Sequence, residues 1–147
     1  MTARHLTCAI DPGEQTGIAV YDSQLKKITQ MHSTDFFGAF KFVKTLPKDQ
    51  VKIIVEVPSD FIYKRNDEEK GASRDKMAIL IGGTRREAQL LARGLRILGF
   101  TVKEVLPVQA KKWTAEQLKR YLNVDSRTNQ HVRDACRLAY FHSSGRV

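Results

Sequence analysis

The sequence predicts an α/β fold, a mixed five-stranded sheet with helices on both faces, in the order βββαβαβα plus a closing helix. Three observations predict it. Residues 5–11, 16–22 and 25–33 are short segments separated by turn chemistry, which reads as three strands in a meander. Val51-Lys52-Ile53-Ile54-Val55-Glu56-Val57 is a β-branched run of the kind buried on both faces of a sheet. Beyond it, apolar residues recur at helical spacing on either side of one further short strand.

Taken in order, Leu6 to Ile10 is an apolar strand that breaks at Asp11-Pro12-Gly13, and Gly17 to Tyr21 returns beside it as a hairpin. A helix follows near 35–46, and after Pro47 comes the strand that ends at Glu56. Ser59 to Arg74 is polar, with Lys64-Arg65-Asn66-Asp67-Glu68-Glu69-Lys70-Gly71 lacking apolar periodicity, and reads as a mobile loop. Met77 to Ile81 starts a short helix that Gly82-Gly83 interrupts. Thr84 then caps a helix carrying Ala88, Leu91, Ala92, Leu95 and Leu98 on one side, ended by Gly99. That apolar side is either a dimer interface or ordinary core under the sheet. Thr101 to Val105 is the last strand, Gln109 to Leu122 a basic helix, and Ser126 or Thr128 the start of the final helix.

Four residues stand out chemically. Asp11 sits where a buried strand meets a tight turn, a position suited to a metal ligand, although Asp-Pro-Gly also serves as a plain turn. Glu56 closes an apolar strand, where an unpaired carboxylate costs several kcal/mol, so a cation, a hydrogen bond or a raised pKa must compensate. The alternative is a strand-end acid already in solvent, since Pro58 stops the pairing. His131 and Asp134 lie three apart in the final helix and share one face, with Leu138 continuing that face toward the core, while Arg133 and Arg137 are expected to turn elsewhere; alone, such a pair is more often a surface contact or a satisfied core histidine than a ligand set, and Asp11 and Glu56 reverse that. Three carboxylates and an imidazole from three remote stretches suit a hard divalent cation, Mg2+ or Mn2+, rather than a structural zinc.

On these motifs the chain resembles a RuvC-like Holliday junction resolvase of the ribonuclease H-like superfamily, particularly the compact phage-type members. The resemblance rests on Ile10-Asp11-Pro12-Gly13 with Gly17, on Val55-Glu56-Val57-Pro58, on Pro107 to Trp113, and on His131 with Asp134-Ala135. It implies a ribonuclease H-like mixed sheet and a catalytic tetrad of Asp11, Glu56, His131 and Asp134, with His131 where many relatives carry Asp. It also implies a homodimer that cuts four-way and other branched DNA in pairs, leaving 5′-phosphate and 3′-hydroxyl ends. The expected chemistry uses two Mg2+ or Mn2+ ions per site. Asp11 would bridge them, Glu56 and Asp134 would each hold one, and His131 would complete a shell or stabilise charge near the scissile phosphate. The segment after Glu56 does not follow the bacterial pattern closely, so no junction-opening residue is carried over.

Charge points the same way. The net charge is +9, and residues 85–147 hold 13 basic against 5 acidic groups, eight of the nine excess positive charges. Such asymmetry is expected of a face that follows a phosphate backbone. The candidate DNA contacts are Lys64, Arg65, Arg74, Lys76, Arg85, Arg86, Lys111 and Lys112, with Phe61 and Tyr63 either stacking on unpaired bases or packing their loop down. Trp113 is expected to anchor its helix.

Actin-like ATPases also carry an Asp-x-Gly-x-x-x-Gly loop, but they need two such domains, and 147 residues suit one. Cys8 and Cys136 fall in apolar patterns without metal spacing, so buried reduced thiols are expected. There is no signal-peptide pattern and no apolar run near the roughly 18 residues of a membrane span, so the expectation is a soluble cytoplasmic protein. Competing readings are a YqgF-like RNA-processing nuclease, a non-catalytic branched-DNA-binding protein, and a replication or packaging partner acting through its basic face.

Overall fold

A computed structural model describes residues 4–58, 71–107 and 111–143, and in it the meander forms as expected. β1 (Leu6–Asp11), β2 (Thr16–Asp22) and β3 (Lys27–Thr34) pair antiparallel in succession. Asp22 builds the second turn: its Oδ1 accepts from the backbone N–H groups of Gln24 at 2.9 Å and Leu25 at 3.1 Å. Lys26 then takes the left-handed conformation at φ 55°. This Asx turn consumes the residues before Lys27, which is why the third strand starts there and not at 25.

The chain then crosses through α1 (Phe36–Val43) to β4 (Val51–Glu56), which lies parallel to β1. Asp35 starts α1, its Oδ1 accepting from the Gly38 N–H at 2.7 Å. Next, α2 (Gly71–Ile97) leads to β5 (Thr101–Val105), parallel to β4, and the chain closes with α3 (Ala115–Leu122) and α4 (Gln130–Ser143). The sheet order is β3-β2-β1-β4-β5, so β1 is the middle strand.

Strand alternation divides the core into two layers. Cys8, Ile10, Ile53 and Val55 face α1 and α2, where Ala39, Val43, Ala88, Leu91, Ala92 and Leu95 are buried against them. Ala9, Ala19 and Ile54 face the other way, under Leu118 and Leu122 of α3 and Val132, Ala135, Cys136, Leu138 and Ala139 of α4. The apolar face of α2 is thus sheet-covering core. Cys8 and Cys136 are buried and free, and burial pushes both thiols up to about 12. Among the described residues no helix is long and apolar enough to cross a membrane.

Three local expectations are corrected. The helix does not break at Gly82-Gly83: α2 is continuous from Gly71, so residues 71–74 are helical rather than loop. Two glycines cost a helix roughly 1 kcal/mol each relative to alanine, and burial of the downstream Ala88-Leu91-Ala92-Leu95 face outweighs that. The basic helix begins at Ala115, not Gln109, because Thr114 and Gln117 form a capping box that fixes its first turn. Lys111, Lys112 and Trp113 therefore precede α3, while 108–110 lie outside the described residues. The final helix is started neither by Ser126 nor by Thr128 but by Asn129, whose Oδ1 accepts from the Val132 N–H at 2.9 Å.

Candidate active site

Period-2 alternation decides where the first two acids go. Asp11 follows Ala9 and Glu56 follows Ile54 on the sheet face covered by α4, and both close their strands. The parallel register pairs Ile10 with Val55, so one further step sets Asp11 beside Glu56 at the carboxyl edge of the β1–β4 pair. His131 and Asp134 project from the first turns of α4 toward the same edge. Asp11, Glu56, His131 and Asp134 all line one pocket of about 190 Å³, together with Pro107, Lys112, Arg137 and Leu138.

Close approach of α4 to the sheet depends on Gly17, which sits opposite Asp11 in the β1–β2 ladder. A Cβ added there would overlap the carbonyl group of His131 and lie 2.7 Å from the Val132 nitrogen. Backbone cannot yield as a side-chain tip would. Gly17→Ala is expected to lower stability by about 1–3 kcal/mol, the usual scale of overpacking, and to move His131 and Asp134 off the pocket. A urea midpoint at the wild-type value would contradict this.

The polar contacts are specific. His131 Nδ1 lies 3.4 Å from Asp11 Oδ2, and Lys112 Nζ lies 3.4 Å from Asp134 Oδ2. Gln130 Nε2 donates to Asp134 Oδ1 at 2.8 Å, while Gln130 Oε1 accepts from Arg133 Nη2 at 3.0 Å, which fixes the amide's orientation. Arg133 also donates to the Thr128 carbonyl at 2.7 Å and points away from the pocket, as expected. Arg137 does not: it is buried, it lines the pocket, and its Nη1 donates to the Lys111 carbonyl at 2.8 Å. The spacing that paired His131 with Asp134 also reaches Arg137, three beyond Asp134, so this residue was visible in the same pattern.

Burial pushes the Asp11 carboxyl up to about 7, helped by repulsion from Asp134 and opposed by Lys112. Glu56 is likewise pushed up to about 7, first by burial, then by Asp11 and Asp134, with Lys112 and Arg137 opposing. Burial first, and repulsion among the acids second, thus favour their protonated forms near neutral pH, and a cation bound among them would favour the ionised forms instead. The donor set of carboxylate oxygens and one imidazole matches Mg2+ or Mn2+. Among the described residues, no three such groups are yet drawn together as a ready-made coordination sphere.

The remaining sequence candidates lie elsewhere. Lys64 and Arg65, with Phe61 and Tyr63, lie outside the described residues, and so do the side chains of Arg74 and Lys76 on the first turns of α2. Arg85 and Arg86 are on α2, whose core face covers the side of the sheet opposite α4, and neither lines the pocket. Lys111 is exposed. Trp113 packs against the α3–α4 core, its ring centroid 5.1 Å from Tyr121 and 5.9 Å from Phe141, in keeping with an anchor.

No protein-family model matches the chain, and no curated protein matches it in sequence. Among solved structures it is similar to T. thermophilus RuvC in complex with Holliday junction substrate, with a TM-score of 0.61 over 94% of this chain and 92% of that one, at 16% identity. The fold is RuvC-like. The ribonuclease H-like mixed sheet expected from the motifs is the sheet observed. Within this RuvC-like frame the pocket lined by Asp11, Glu56, His131 and Asp134 among others occupies the edge where β1 and β4 end and α4 begins.

Proposed function

We propose that the chain is a divalent-metal-dependent endonuclease that cuts four-way junctions and other branched DNA, as a compact member of the RuvC-like group. The observation that carries this reading is the convergence of Asp11, Glu56, His131 and Asp134 on one pocket in a RuvC-like fold. That neighbour's complex with a junction gives the substrate class its support. The +9 net charge suits a polyanion.

Two Mg2+ or Mn2+ ions, when bound, would supply activation of the attacking water and charge neutralisation at the departing 3′ oxygen. Asp11, central between Glu56 and the α4 pair, would hold both. Glu56 and Asp134 would each hold one. His131, against Asp11 Oδ2, would complete a shell or face the scissile phosphate. Gln130 orients Asp134 through Oδ1 and leaves Oδ2 toward Lys112. The Leu138 wall keeps one side of the pocket apolar, which strengthens the charge interactions inside it. Lys64, Arg65, Arg74, Lys76, Arg85, Arg86, Lys111 and Lys112 are the proposed contacts to the DNA backbone, and a homodimer would present two sites to opposing strands.

Labelled four-way, three-way and linear duplex DNA, incubated with Mg2+ or Mn2+, test this. Cleavage of branched substrates alone, as paired nicks with 5′-phosphate and 3′-hydroxyl ends, is the expected result. Equal cutting of linear duplex would mean a general nuclease, and tight binding without cutting a structural role.

A further inference from the structure

Lys112 sits in a stretch without regular secondary structure, yet it lines the acid pocket, where the ammonium of its largely exposed side chain lies 3.4 Å from Asp134 Oδ2. Its neighbours on both sides are held by the same helix. Arg137 Nη1 donates to the carbonyl of Lys111 at 2.8 Å, and Gln130 Nε2 approaches the carbonyl of Trp113 at 3.4 Å. Gln130 and Arg137 are seven apart, so they share one face of α4 with Asp134 between them. Arg137 is only 7% exposed and, among the described residues, has no carboxylate within ion-pair distance. A buried guanidinium without a direct counter-ion is expensive, so the bond that it does make needs an explanation.

Resting on the nuclease reading above, we propose that Arg137 and Gln130 form a two-point bracket that fixes the Lys111–Trp113 strap over the acid pocket and so positions Lys112. Arg137 is the stronger point, being buried and carrying the shorter bond. It is a positioning residue that acts through Lys112. The strap needs such a device because the α3 capping box starts only at Thr114 and leaves Lys112 outside the helix. The partner chemistry is the phosphodiester lying between the acids and a cation held in place.

Trp113 is the sole tryptophan and reports on the strap directly. In metal-free, DNA-free Arg137→Gln, acrylamide quenching of Trp113 should rise clearly above wild type. On a four-way junction kcat should fall about 10- to 100-fold, the scale on which supporting residues act, with KM within about threefold. Lys112→Met combined with Arg137→Gln should lose no more than Lys112→Met alone, because one variant removes what the other positions. Fully additive losses, or unchanged Trp113 quenching, would overturn the bracket. Should Arg137→Gln not fold, Gln130→Leu carries the same comparison, with a smaller rise in quenching expected and an unchanged one overturning the inference. Failure of the nuclease reading looks different: wild type would cut no substrate, while the quenching result would still decide the bracket.

Discussion

Asp11→Asn should abolish junction cleavage while making the metal-free protein more stable. The two effects have one cause. Asp11 is 7% exposed, its carboxyl is pushed up from 3.8 to about 7 by burial and by Asp134, and ionising it at neutral pH opposes folding. Asparagine keeps the shape and removes the charge, so the variant escapes a penalty of order 1–4 kcal/mol above pH 7. Cleavage should fall by at least about 10²- to 10³-fold, the scale on which single preorganised electrostatic groups act. DNA binding should persist or tighten, because one repulsion toward phosphate is gone. The measurements are a junction-cutting rate, a gel-shift titration and thermal melts in chelator. Wild-type cutting by the variant would remove Asp11 from any metal role, and unchanged melting would contradict the burial account.

The second large effect expected is a pH slope in stability that Mn2+ should flatten. Asp11 and Glu56 both have folded pKa values raised to about 7 from 3.8 and 4.5. Between pH 4 and 7 the folded protein keeps protons that the unfolded chain has released, so stability falls as pH rises through this window. Burial is the main cause for both; Asp134 adds to it at Asp11, and Asp11 and then Asp134 add to it at Glu56, while Lys112 opposes both shifts and Arg137 that of Glu56. In chelator, the wild type should therefore have a lower urea midpoint at pH 8 than at pH 5, and Asp11→Asn should show a shallower difference. Mn2+, held by the deprotonated acids as proposed, should restore stability more at pH 8 than at pH 5. Equal slopes in wild type and variant would assign the pH dependence to other groups.

Much of this site is legible in the sequence because two periodicities carry it. Alternation puts Ala9 with Asp11 and Ile54 with Glu56 on a common face, and the three-residue spacing of His131 and Asp134 puts both on the face that Leu138 continues. Gly17 was readable as part of the turn motif, but its role as a gap for the α4 backbone was not, since that depends on packing between residues over a hundred positions apart. The continuity of α2 through Gly82-Gly83 is not legible locally, because propensity argues for a break there and only burial further along argues against one. The start of α3 is set by the local Thr114–Gln117 box, while the basic residues before it share the composition of the helix and so hide the boundary. Arg137 is expected to turn away from the His131–Asp134 face, whereas it is buried and lines the pocket, where the Lys111 carbonyl accepts from its Nη1.

The parallel register that joins β1 to β4 has a consequence for how the protein acquires its chemistry. Both strands can pair once α1 has crossed between them, yet their terminal acids then stand exposed, with no imidazole and no third carboxylate opposite. Those arrive only with α4, the last described helix, in the step that also seals Ala135 and Leu138 over the sheet. A chain folding in this order would carry both strand-end acids before the helix that completes their surroundings, so the pocket would be assembled only as α4 docks on the sheet.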